Sequence, residues 1–331
     1  MSIEAWDFRV GQASSAETVY FAGGVCAFQT PDGWAVGPAL VDSGLRALQV
    51  GNGAALTEFV RSAGLFYVGT NIPHRSDASL ARVEFWELGR RDPVNGMQAA
   101  DSWSAIAYQA EKLGDQAYAD SANYLAVSMQ MASLRLRDVA RHYREQLEWA
   151  VQDGKAQGKR FSNVAMLDLY ADFHSLVSEL ASARDHLARI AAIEGGAPEK
   201  IDSLARLQDW AGRPIKSAAA ATPMISLLLS QLLDEPSSWL VRFGKIRNEM
   251  IHRIPMAASK SSAFFRLDQL ATTAGPLALL RLVPSPMEVE DLSGTEPLVE
   301  LTQIANAFEQ LAREAWKMAK FPADLPSIVV I

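Results

Sequence analysis

The segment Arg247-Asn248-Glu249-Met250-Ile251-His252 carries the two side chains of this 331-residue chain whose types and spacing fit work on a phosphodiester. Cleaving an RNA backbone takes a proton from the 2′-hydroxyl and gives one to the leaving 5′-oxygen. Between those events a phosphorane holds extra negative charge. Histidine titrates near neutrality and can act as either base or acid. An arginine fork matches phosphate oxygens and stabilises the charge that develops on them. One imidazole cannot readily stand on both sides of an in-line displacement, so two copies of the segment suit the chemistry better than one.

The surrounding residues place the pair on a helix. Asp234-Glu235-Pro236 predicts a helix start, with an acidic cap and proline in the first turn. Leu240, Phe243, Met250, Ile251 and Ile254 recur at spacings that give one buried stripe. Arg247 falls within that stripe, and a guanidinium there needs an acidic partner or access to an anion. Pro255 ends the helix just beyond His252. His252 is thus in the last turn, where the helix dipole favours its protonated form. Asn248, one turn earlier on nearly the same face, is placed to orient the ring. Arginine and histidine stand about 140° apart around the axis, so only the long arginine stem lets both reach one phosphate.

Arginine, a polar residue directly after it, and histidine five positions along resemble the signature of the HEPN superfamily. The resemblance implies a small helical bundle and a metal-independent ribonuclease. It further implies a homodimer whose two motif helices face each other to build one composite site. RNA would be the substrate, defence or toxin–antitoxin biology the setting, and an antitoxin protein a partner. Arg184-Asp185 in the preceding long helix matches the family's loose Arg-Asp pattern. The resemblance covers the motif helix and, more loosely, residues 100 to 320; the segment Leu282–Glu296 departs from a compact bundle. Two other readings stand beside it. One is a non-catalytic HEPN-like module binding nucleic acid, a nucleotide or a protein. The other is a structural helical protein whose Arg247 sits in a buried ion pair.

A second match, Arg137-Asp138-Val139-Ala140-Arg141-His142, lies in a charge-dense stretch that reads as the solvated side of a long helix. For Arg247 the expected supporting acids are Asp172 and Glu179, seven residues apart at the edge of the apolar stripe Met166, Leu169, Phe173, Leu176, Leu180 and Leu187. The five histidines lack zinc-ligand spacing, so neither metal nor cofactor is expected. Cys26, with no basic neighbour in sequence, reads as a packing residue in a strand.

The organisation predicted is mainly α: a small α+β N-terminal domain over 1–97 and a HEPN-like antiparallel helical bundle over 98–331. In the first, Val19–Phe21, Val25–Phe28 and Trp34–Val36 read as strands, with Pro31-Asp32-Gly33 as a turn. Leu65–Val68 and Val83–Trp86 read as further strands and Ala54–Ser62 as a helix. In the second, long helices over Ala117–Gln152 and about 163–193 precede shorter ones near 201–211, 223–233, the motif helix and 299–320. A net charge of −7 argues against a broadly basic nucleic-acid binder but leaves room for one positive cleft. A single cysteine, no leader-like N-terminus and no long apolar run predict a cytoplasmic protein without a membrane span.

Overall fold

The computed structural model describes residues 17–40, 45–74, 83–88, 98–212, 222–233, 238–252, 264–283 and 296–324. Among them are eight α-helices and nine strands, so the chain is mainly helical with an antiparallel sheet. Two compact units divide the chain, and the division is not a cut at residue 97. The first unit takes 1–89, 134–174 and 249–302; the second takes 90–133, 175–248 and 303–331.

The first unit holds the whole sheet. Its strands are β1 (Thr18–Phe21), β2 (Cys26–Thr30), β3 (Gly33–Ala39), β4 (Arg46–Gly51), β5 (Tyr67–His74), β6 (Val83–Glu87), β7 (Arg160–Phe161), β8 (Phe264–Thr272) and β9 (Gly275–Val283). The order is β6-β5-β1-β2-β3-β9-β8-β7, with β4 also on β3. The β2–β3 hairpin turns at Pro31-Asp32, as the turn residues predict, with Cys26 opposite Gly37 and Thr30 opposite Gly33. Helix α1 (Gly53–Ala63) starts where Asn52 Oδ1 accepts from Ala55 N at 3.0 Å and ends on Gly64 at φ 66°.

The β8–β9 hairpin overturns the expectation of nearly unbroken helix after residue 97. Phe264 pairs with Val283 and Thr272 with Gly275. Phe265 and Leu267 point into the core while Arg266 and Asp268 lie on the other face, the period of a half-buried strand. Arg266 stands directly opposite Arg281, and Asp268 offsets that repulsion by bonding Arg266 at 2.7 Å and Arg281 at 3.0 Å. Residues 284–295, the greater part of the expected long loop, lie outside the described residues.

Two long helices contribute to this core: α3 (Gln116–Gln152) with its residues from 134 on, and α4 (Met166–Glu194) with its residues up to 174. Tyr143 of α3 packs edge-on to Phe173 of α4 and Phe265 of β8, and Phe161 joins Phe265 to Trp149. Gly24, at φ +81°, lets the turn after β1 approach the α3 backbone. A Cβ there would stand 2.5 Å from the Tyr143 carbonyl oxygen.

The second unit is helical. It contains α2 (Ala99–Lys112), α5 (Leu204–Ala211), α6 (Pro223–Ser230) and parts of α3, α4, α7 (Trp239–His252) and α8 (Pro297–Trp316). Ala99, Ala100, Ala107, Ala110, Ala119 and Ala122 are all buried, and residues this small let helices approach closely. Polar ties fix the ends. Trp103 Nε1 donates to the Ala312 carbonyl at 3.1 Å, and the Tyr118 hydroxyl donates to Glu194 at 2.7 Å. No helix among the described residues is long and apolar enough to cross a membrane.

Candidate functional site

Helix α7 carries the motif, and its start is one turn later than the sequence suggested. Ser238 is the cap: its Oγ accepts from Val241 N at 3.3 Å and donates to the Gln231 carbonyl. Trp239 Nε1 donates to Gln231 Oε1 at 3.1 Å, so the helix start is tied to the end of α6. The expected cap, Asp234-Glu235-Pro236, lies outside the described residues. The buried stripe runs through Leu240, Phe243, Ile246 and Met250. Ile246 had not been counted in it. Its inclusion moves Arg247 from the centre of the stripe to the margin, where the residue is half-buried.

Arg247 has an unusual set of partners. Its guanidinium donates to the neutral Asn248 Oδ1 at 3.2 Å, and its Nε is buried without a hydrogen-bond partner. Among the described residues no carboxylate pairs with it. Leaving a buried donor unpaired costs about 1–3 kcal/mol, and more where the group is charged. Asn248 is exposed and engages Arg247. His252 is the last residue of α7, and its side chain, with any contact from Asn248, lies outside the described residues.

The two expected acids take other places. Asp172 belongs to His142 and Arg135, at 2.7 Å and 3.8 Å. Glu179 is half-buried and has no ion-pair partner among the described residues. A residue of α4 that does reach α7 is Arg184. Its guanidinium lies 5.8 Å from the centre of the Phe243 ring, one helical turn before Arg247. Asp185 pairs with Arg184 at 2.9 Å and also accepts from the Leu204 backbone N–H at 3.2 Å. That double bond fixes the pair between α4 and the first turn of α5. Sequence had flagged Arg184-Asp185 only by resemblance, since nothing in its own spacing reports the stacking on Phe243.

The second Arg…His match is a knot of paired charges on α3 and α4. Arg137 bonds Asp138 through Nε and Nη2 at 3.1 and 3.0 Å, and Arg135 reaches Asp138 at 3.4 Å. His142 Nδ1 lies 2.7 Å from Asp172 Oδ2. Burial raises the Asp172 pKa, and His142 pulls against that shift. The expected solvated face is in fact half-buried and cross-linked between helices.

Other candidate groups are sealed. Cys26 is fully buried and its thiol is pushed up to about 11 by that burial, which suppresses the nucleophilic thiolate. It does have a basic neighbour in space, Arg144 of α3, but Arg144 is bound to the buried Glu148 at 2.7 Å. A polar cleft of about 340 Å³ between α2 and α3 is lined by Ser104, Tyr108, Glu111, Gln116, Asp120 and Asn123, among others. None of its lining residues is cationic, so it does not suit a phosphate. Among the described residues no three His, Cys, Asp or Glu side chains gather as a metal site would require. No family model matches the chain, and neither a curated protein nor a solved structure is similar to it.

Proposed function

We propose that this chain is a metal-independent endoribonuclease of HEPN-like type, with Arg247 binding the scissile phosphate and His252 transferring the proton. The observation that carries the reading is the half-buried Arg247 guanidinium, whose Nε has no partner and whose described side-chain bond is to a neutral amide. A cation held in that state gains most from an anion that brings oxygen acceptors. Arg184, stacked one turn away on Phe243 and paired with Asp185, has further N–H groups on the same side of α7. Attack by the 2′-hydroxyl on phosphorus forms the new P–O bond as the 5′-oxygen departs, leaving a 2′,3′-cyclic phosphate and a 5′-hydroxyl. Two protomers would supply the two imidazoles that in-line displacement asks for, one as base and one as acid.

The test is cleavage of a labelled RNA pool by the full chain in the presence of chelator, with Arg247→Ala and His252→Ala alongside. Wild-type cleavage with cyclic-phosphate ends, absent in both variants, is the expected result. Retained RNA binding without cleavage in all three would support a non-catalytic HEPN-like module instead. Neither binding nor cleavage by a folded wild type would leave Arg247 a structural residue.

A further inference from the structure

We propose that Arg160, Arg266 and Arg281 form a binding surface for the phosphodiester backbone of a single-stranded nucleic acid, on the sheet of the first unit and independent of the Arg247 reading. The three occupy one register row across three neighbouring strands. Arg160 of β7 stands opposite Arg266 of β8, and Arg266 stands opposite Arg281 of β9. Directly opposite residues of antiparallel strands project from the same face, so the three guanidinium groups rise from one side of the sheet. The row is about 10 Å long, two strand spacings. That side is open: Arg281 is 55% exposed, Arg266 36%, and Arg160 is exposed as well. The next residue along each strand faces the other way, and there Phe161, Phe265 and Leu282 are buried in the core.

Like charges directly opposite one another destabilise a sheet, and this row holds two such pairs. One aspartate serves it. Asp268 accepts from Arg266 Nε and Nη2, both at 2.7 Å, and lies 3.0 Å from Arg281 Nε. The Arg160 guanidinium has no partner among the described residues, and Nη1 of Arg266 and both Nη groups of Arg281 are likewise unused there. Free guanidinium edges of this kind match pairs of phosphate oxygens. Around the row stand Lys159, the paired Lys155 and Asp153, and Glu296, which feels the charge of Arg281. With all of these and Asp268 counted as ionised, two positive charges remain, in a chain that carries −7 overall.

The shape of that charge points to its occupant. Donors repeated at strand spacing suit an anion that repeats along a line, as a nucleic-acid backbone does and a lone phosphate does not. A broad anionic membrane would meet the rest of an acidic chain, whereas a strand need touch only the row. The twist of the sheet fans the row, and a flexible single strand follows it more readily than a stiff duplex. Such contacts hold the backbone without reading its bases.

The experiment titrates the full chain into a labelled oligonucleotide of roughly ten nucleotides, followed by fluorescence anisotropy over a range of salt. Two strands of one sequence are used, 2′-O-methyl RNA and DNA, and neither has the 2′-hydroxyl that the proposed cleavage consumes. Saturable binding that weakens with salt is expected. Arg160→Gln and Arg281→Gln, both at exposed positions, should each lower the affinity about fivefold at about 0.1 M salt. Each should also flatten the log–log salt dependence by about 0.7, the share of one phosphate contact. Arg206→Gln removes the same charge from α5 and should stay within about twofold. Arg281→Gln made in the Arg247→Ala chain should have the same effect as in the wild type, which separates the row from the proposed nuclease centre. With the row effects present, tighter binding of the RNA strand marks RNA as the source of the backbone, and equal binding marks single strands of either sugar. No saturable binding, unchanged affinity in both row variants, or an equal loss in Arg206→Gln would overturn the proposal. So would binding to phosphatidylserine vesicles but to neither oligonucleotide.

Discussion

The chain contains the same Arg-polar-x3-His spacing twice, and the two segments sit in opposite electrostatic conditions. On α3, Arg137 is bound twice to Asp138, and His142 faces Asp172. On α7, Arg247 meets only the amide of Asn248 among the described residues, and its Nε is buried without a partner. Spacing alone is thus a weak reporter of chemistry, because identical spacing accompanies both a neutralised arginine and an unsatisfied one. What separates them is whether the packed neighbour brings a carboxylate. Asp172 was the acid expected to serve Arg247, and it instead serves the α3 segment.

That contrast breaks first on catalysis. Removing the His252 imidazole should lower RNA cleavage by about a thousandfold, within the range for losing a general acid–base group. Arg137→Ala should leave turnover at saturating RNA within about twofold, since its charge is already spent on Asp138. Measuring both rates on one RNA substrate checks the assignment, and equal losses would dissolve the distinction.

Stability sharpens it next. Arg144→Met strands the buried Glu148 carboxylate and should cost about 3–5 kcal/mol in a denaturant titration. Arg247→Met removes an unsatisfied N–H and strands no described carboxylate. It should change stability by less than about 1 kcal/mol. An Arg247→Met variant as damaged as Arg144→Met would point to an acid outside the described residues.

A smaller effect comes from a carboxylate enclosed mainly by neutral groups. Glu296 caps α8, with Oε2 accepting from Val299 N at 3.1 Å and Oε1 from the Tyr143 hydroxyl. Part of the residue is open, yet its carboxylate is enclosed, and burial raises its pKa to about 7. The folded value exceeds the unfolded one. The stabilising contribution is therefore fully present below the ordinary carboxylate range, and it is lost as pH rises through about 7. Glu296→Gln should flatten that decline, worth on the order of 2 kcal/mol between pH 4.5 and 8. Thermal melts across that range check it, and an unchanged slope would show that the pair titrates normally.

Much of the helical architecture was legible because long periodic stripes and glycine-rich breaks state their own geometry. Met166, Leu169, Phe173, Leu176, Leu180 and Leu187 are all buried along α4, as their spacing predicts. The β2–β3 hairpin was legible for a similar reason, since its turn residues lie beside the strands they join. The β8–β9 hairpin was not, because its buried residues Phe265, Leu280 and Leu282 have the apolar neighbours Phe264, Leu279 and Val283 beside them and so show no clean period of two. Its turn of Thr273-Ala274 lacks the strong Asn-Gly signal. Of the candidate site, sequence located α7, the helix that carries Arg247, Asn248 and His252. It could not supply Arg184 over Phe243, the loss of Asp172 to His142, or the orphaned Nε of Arg247. Each of those depends on which residues of distant segments meet, and a single sequence carries no record of that.

The sheet that receives β9 on β3 also sets a timetable for biosynthesis. Strands β1 to β6 are complete by Glu87, but β9 ends only at Val283. At the usual pace of translation, roughly 10–40 seconds separate the two on the ribosome. During that interval Leu40 N–H lacks its Pro276 acceptor and the Gly23 turn lacks the hairpin it packs on. Nascent chains paused within this window should therefore be the ones most dependent on chaperone protection.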